Sequence, residues 1–390
     1  MTTPLPAAPA SGTAPEAQAQ RVLGPGPIVE PDADYQSKVT GANIRTADWT
    51  TDFSRHTVAL DEILSGGVPR DGIPPLDDPK CTSIDDADLC LEDLQPVITF
   101  KINNEDRVYP LWILTWHEVV NDVVGGVTVT VTFCPLCNSP IVFDRTLEGR
   151  VFDFGVTGNL RNSDLTMWDR QAQTWWQLLT GEGIVGELAG HQLEFLLASI
   201  ISWGDYKLAN PETLVSSRET GFSRPYGNNP YTGYDRADQP AFLFDGGPDE
   251  RLLPKERVAV FNIGEISAAF PFLVLEEERV VNYTVNNTDV VVFFKPGTVS
   301  ALDRGLIIDS RDIGSSGVFE AELDGRKLTF RADGDDPFVD NETGITWNIL
   351  GETFAGPLSG QSLTPIVHGD HFWFAWGAFN PDTKIYQGQR

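Results

Sequence analysis

Val97 to Ser139 aligns without a gap on Val258 to Ser300, and 14 of the 43 pairs are identical. Among the identities are Phe100/Phe261, Pro110/Pro271, Asn121/Asn282, Phe133/Phe294 and Pro135/Pro296. The match resumes downstream, where Gly181-Glu182 corresponds to Gly351-Glu352 and Asn210-Pro211 to Asn380-Pro381. Two stretches that keep apolar and turn residues at the same spacing are expected to satisfy the same backbone twice. The spacing predicts two tandem copies of a β-rich unit, residues 97–213 and 258–390. An entry segment, 31–96, packs on the first copy, and a long ordered connection, 214–257, joins the two. The aromatics of that connection need burial, so an ordered course is expected for it. Residues 1–30 are rich in Pro, Ala, Gly and Gln and read as a disordered leader.

Within each copy the local patterns are mostly those of strands. "VITFKI", "VTVTVTF" and "IVFDR" alternate or are β-branched, and "VAVFNI" and "DVVVFF" repeat them in the second copy. "PLWILTWHEVVND" reads as a short buried helix between strands, with Pro110 at its start and Asn121 and Gly125 near its end. "HTVALDEIL", residues 56–64, has helical spacing of its apolar positions. The expected class is mainly β with a few helices (α+β).

The two copies differ where chemistry could reside. Cys134-Pro135-Leu136-Cys137 in the first copy faces Lys295 and Thr298 at its cysteine positions in the second, and His117 faces Glu278. Features held by one copy alone are candidates for function, while shared ones are scaffold. The CPLC sequence falls between two strands, so a tight turn can aim both sulfurs at one ion. No second CxxC exists, so a metal there needs other ligands. His117 is the expected third ligand, and two thiolates with an imidazole suit copper or zinc. Met167 could add a thioether and favour copper, although core packing beside Trp168 is the favoured reading. The same two cysteines could instead form a reversible disulfide.

Asn159, Arg161, Asn162 and Asp164 lie in a polar stretch between strands and could reach a ligand, or could serve the turn itself. Cys81 and Cys90 enclose a short acidic loop without a nearby histidine, and a structural disulfide in an oxidising compartment is expected. His368 and His371 are expected in a surface turn. The formal net charge of −28 argues against nucleic acid and anionic lipid as partners. No apolar run approaches a membrane span, and neither a P-loop, a dinucleotide glycine fingerprint nor a GxSxG elbow is present. No nucleotide cofactor is therefore expected from motifs, and the partner is expected to be a small molecule or a metal ion.

With these residues in hand, the chain resembles the DUF3179 family, a bacterial family of unknown function. The resemblance rests on "LDEILSGGVPRDGIPPLDDPK", "YPLWILTWHEVVND", "VTFCPLCNSPIVFDR", "FGVTGNLRNSDLTMWDRQAQTWWQ", "RPYGNNPY" and "FWFAWGAFNPDT". The family pattern includes the histidine and both cysteines that fall on His117, Cys134 and Cys137. It also implies export, since members typically carry export or lipoprotein signals. An extracytoplasmic protein whose export signal is absent from this sequence is the expected setting. Three functions stay open: a Cys134/Cys137/His117 metal site for metal handling or a metal-dependent reaction, a thiol-disulfide oxidoreductase, and a non-enzymatic binding module stapled by a disulfide.

Overall fold

Alternating β-branched residues account for the framework strands. Val127–Cys134, "VTVTVTFC", becomes the centre of a five-stranded sheet, flanked by Val119–Val124 and Ser139–Asp144. Its last six residues are all buried, because both faces of the sheet are covered here. The protein's structure is a computed structural model that describes residues 28–247, 249–334, 338–353 and 360–388. The expected leader therefore lies outside the described residues up to position 27. The fold is mainly β with six helices among the described residues, an α+β arrangement.

Five consecutive elements recur in order. Pro96–Ile102, Glu105–Pro110, helix Leu111–His117, Val119–Val124 and Val127–Cys134 are followed later by Arg257–Ile263, Ile266–Pro271, helix Phe272–Glu278, Val280–Val285 and Thr288–Lys295. Registers recur as well: Val97 pairs with Pro110 and Val258 with Pro271, while Val119 pairs with Thr132 and Val280 with Phe293. The identical asparagines have identical tasks. Asn121 bonds both the N–H and the C=O of Phe154, and Asn282 does the same for Phe330. Asp169 accepts from the Trp176 indole and from two backbone N–H groups of its loop, and Asp340 repeats this around Trp347. These residues satisfy buried backbone and indole donors, which explains them without chemistry.

One large apolar core runs through both halves, from Val97 and Phe133 to Phe338 and Trp376. A direct seam lies beside the CPLC turn. The backbone N–H of Phe372 donates to Cys137 O at 2.9 Å, Asn138 Nδ2 donates to Asp370 O, and His371 Nδ1 lies 2.8 Å from Ser139 Oγ. The segment ahead of position 96 adds edge strands to sheets of the first half: Ile63–Ser65 on Phe154–Arg161, Leu76–Asp77 on Val119–Val124, and Cys81–Thr82 on Leu214–Ser216.

Three local expectations are corrected. Residues 56–64 hold only a 3-10 turn, Leu60–Glu62, before the strand Ile63–Ser65. Pairing of Ile63 with Arg161 outweighs a weak helical periodicity in so short a segment. The helix at Pro110 stops at His117, because Glu118 turns left-handed (φ 58), and Val119–Val124 is a strand rather than a helix end. His368 and His371 are buried in the strand His368–Phe372, not in a surface turn, and "FWFAW" opens the helix Trp373–Phe379.

Candidate metal centre and adjoining cavity

Cys134 ends one strand and Ser139, its cross-strand partner, begins the next. The turn between them is closed by the N–H of Cys137 on Cys134 O, and Asn138 takes a left-handed φ of 52°. This geometry puts Cys134 Sγ 3.1 Å from Cys137 Sγ. That is well beyond the roughly 2.05 Å of a disulfide. Both thiols are buried.

The third member of the cluster is Asp164. The strands Phe154–Arg161 and Asp164–Asp169 form a hairpin whose turn residues, Asn162 and Ser163, both have positive φ. This is the backbone of a tight two-residue hairpin turn, and Asn is suited to it. The hairpin delivers Asp164 Oδ1 to 3.3 Å from Cys137 Sγ, with Ser163 O at 3.4 Å from the same sulfur. Asp164 is fully buried, and Oδ2 accepts from the Gln177 side chain and from Leu179 N at 2.9 Å. Ligand atoms of Cys134, Cys137 and Asp164 all lie within 4.8 Å of one another.

Electrostatically the cluster is a set of acids with no ion-pair partner among the described residues. Burial pushes the Asp164 carboxyl up to about 6 despite those hydrogen bonds. It raises the Cys134 thiol, which Asp164 and Glu118 raise further, and it raises Cys137 still more strongly. Among the described residues, no cationic side chain is a leading influence on any of these groups.

The expected third ligand stands elsewhere. His117 Nδ1 donates to Pro74 O at 2.7 Å, and Nε2 lies 2.6 Å from the Tyr226 hydroxyl. Nδ1 carries the proton, so Nε2 accepts from Tyr226, and both ring nitrogens are occupied. Burial holds the imidazole below its ordinary pKa, which keeps it neutral. The structure groups Cys134 and Cys137 with Asp164 and places His117 outside that cluster. Met167 is buried in the large core and pairs with Val156 and Trp176, while strand alternation puts it on the face opposite Asp164. Of the other polar candidates, Asn159 borders a cavity, Arg161 pairs with Glu62 at 2.7 Å and covers the ring of Phe379, and Asn162 serves the turn. The expected Cys81–Cys90 bond is absent. Cys81 sits in an edge strand with Sγ 2.6 Å from Arg107 Nη1, and Cys90 is exposed beyond the short helix Ile84–Ala87.

A cavity of about 360 Å³ adjoins the turn, bordered by Leu136, Val156, Leu165, Glu118, Tyr231 and Tyr234. Glu118 is buried and its Oε1 accepts from the Tyr231 hydroxyl at 2.8 Å. Burial lifts its carboxyl to about 7. The second half has Arg279 at this left-handed position. Sequence reasoning missed Glu118, Tyr226, Tyr231 and Tyr234 individually. The signal available was the contrast Glu118/Arg279 between aligned copies, adjacent to the noted His117/Glu278.

The fold and the cluster define a mainly β protein with, among the described residues, one buried thiol–carboxylate group, and it lies in the first of two similarly ordered halves. The chain belongs to the family DUF3179, described as a protein of unknown function, which matches residues 70–383. No curated protein and no solved structure matches it.

Proposed function

We propose that Cys134, Cys137 and Asp164 bind one metal ion, with Zn²⁺ favoured, for metal handling or a metal-dependent reaction in the adjoining cavity. The observation that carries this reading is the convergence of two thiols and a carboxyl in a buried place with no cationic partner among the described residues. The two thiols stay protonated and the buried carboxylate stays uncompensated unless a cation binds, and a coordinated thiol is deprotonated outright. Zinc accepts both sulfur and carboxylate ligands, whereas the copper preference depended on His117 and Met167. A tetrahedral ion holds two sulfurs about 3.8 Å apart at bonds of about 2.3 Å, so the pair needs to open by roughly 0.7 Å. Three protein ligands leave a fourth position, the arrangement of a reactive rather than a closed structural site.

Cobalt(II) titration of the full chain tests this. One equivalent is expected to give thiolate-to-cobalt charge-transfer absorption, lost in Cys134→Ser and in Cys137→Ser. Absence of that band in the reduced wild-type protein overturns the reading. A second reading, a thiol-disulfide couple, draws on the 3.1 Å sulfur separation. Burial and the raised thiol pKa values oppose it, since the thiolate is the attacking species. An extracytoplasmic setting remains part of the proposal. With Cys81 and Cys90 unbonded, its support is the family resemblance and the Pro/Ala-rich leader. No helix among the described residues is long and apolar enough to cross a membrane.

A further inference from the structure

The cavity beside the cysteine turn has an unusual wall. Its surface is largely apolar, from Leu136, Val156 and Leu165, and one carboxyl, Glu118, borders it. Glu118 is 5% exposed. The Tyr231 hydroxyl is the one hydrogen-bond partner of its carboxyl among the described residues, and no Lys, Arg or His pairs with it. Tyr231 already donates to Glu118, so the contact leaves the acid's charge uncompensated. Most buried carboxylates are paired, and this one fronts a space of about 360 Å³, within the range of small-molecule sites.

The chemistry that would complete such a wall is specific. An ammonium group supplies the missing charge and up to three N–H donors to the carboxylate, making a charge-assisted bond. Tyr231 and Tyr234 border the same space, and the Tyr234 ring already carries the Lys255 ammonium at 4.0 Å, so Tyr231 is the aromatic neighbour left for a ligand cation. An apolar body on the same molecule fits the leucine and valine surface. The chain's net charge of −28 favours approach of cations to it. We propose that this cavity binds a small hydrophobic primary amine, with Glu118 as its counter-ion.

The equivalent position in the second half carries a cation, Arg279, so the site belongs to the first half alone. Burial pushes Glu118 up to about 7, as expected of a carboxyl lacking its partner, and a bound ammonium would favour the ionised form. The proposal does not depend on a metal at the cysteines.

Calorimetric titration of the full chain at pH 8 with chelator present tests it, using benzylamine and its neutral analogue benzyl alcohol. Benzylamine is expected to bind at least tenfold more tightly. Glu118→Gln, which keeps the acceptor for Tyr231, is expected to remove that preference by lowering the affinity for benzylamine. The preference is expected to survive Cys134→Ser with Cys137→Ser, which separates it from the metal reading. Equal affinities, tighter alcohol binding, no binding by either compound, or a preference that persists in Glu118→Gln would each overturn the proposal. If Glu118→Gln does not fold, the wild-type comparison of the two compounds decides.

Discussion

Glu118→Gln has a calculable effect on stability that runs opposite to the usual loss from altering a buried residue. The carboxyl sits at about 7 in the folded protein against an ordinary 4.5, and burial is the cause. A raised acid binds its proton more tightly when folded, so folding is favoured while the group is protonated in both states. That advantage is intact below about pH 4.5, is lost as pH rises through the window up to about 7, and does not change further above it. Each unit corresponds to about 1.4 kcal/mol, which puts the full cost of ionising Glu118 in the fold at about 3 kcal/mol. Between pH 5 and pH 8 the change is about 2.5 kcal/mol. The amide introduced by Glu118→Gln has no charge to bury and still accepts from Tyr231. Urea unfolding of wild type and variant at both pH values, with chelator, isolates this contribution, because other titrating groups cancel in the difference. The variant is expected to gain about 2.5 kcal/mol relative to wild type on going from pH 5 to pH 8. A difference that stays constant within about 0.5 kcal/mol would refute the claim that Glu118 is buried without a cation.

Three further outcomes follow from the fold. Asp235 is fully buried between Arg257 and Arg311, at 2.9 and 2.8 Å. Asp235→Ala leaves Arg257 buried and unpaired, and a loss of about 3–5 kcal/mol in urea unfolding is expected. Gly158 has φ +79, and a Cβ there would collide with the carbonyl oxygen of Val68. Gly158→Ala is expected to cost about 3 kcal/mol through backbone strain and crowding, read from the same unfolding curves. Finally, a thiol assay on protein denatured without reductant is expected to count four free cysteines. A count of two would restore a disulfide.

The framework was legible because its causes are local and repeated. The strand "VTVTVTF" and the shared residues Pro110/Pro271 and Asn121/Asn282 carry their spacing openly, and the same elements with the same registers appear in both halves. Residues 56–64 misled because a three-residue edge strand leaves no period of its own, and pairing with Arg161 decided the outcome. "FWFAW" is buried throughout apart from its flanks, so it has no polar face from which a helix could be read. At the site, the CPLC turn was readable, since Cys134 and Cys137 are three residues apart and lie between strands. Its partner was not. Proximity in sequence pointed to His117, but the helix aims that ring at Pro74 and Tyr226. Asp164 reaches the sulfurs through a hairpin closed by Asn162 and Ser163, a tertiary relation that periodicity does not encode. The tyrosines of residues 214–257 were expected to be buried, yet nothing in their spacing names Glu118 as what Tyr231 would bond.

The most direct test is the metal content of wild-type protein, His117→Ala and Asp164→Asn, purified in parallel without chelator and assayed by elemental mass spectrometry. The Cys134/Cys137/Asp164 assignment predicts one equivalent of zinc in wild type, retained in His117→Ala and lost or sharply reduced in Asp164→Asn. Metal that survives Asp164→Asn but disappears with His117→Ala would contradict the assignment, as would wild-type protein that binds no metal even when reduced and supplied with zinc.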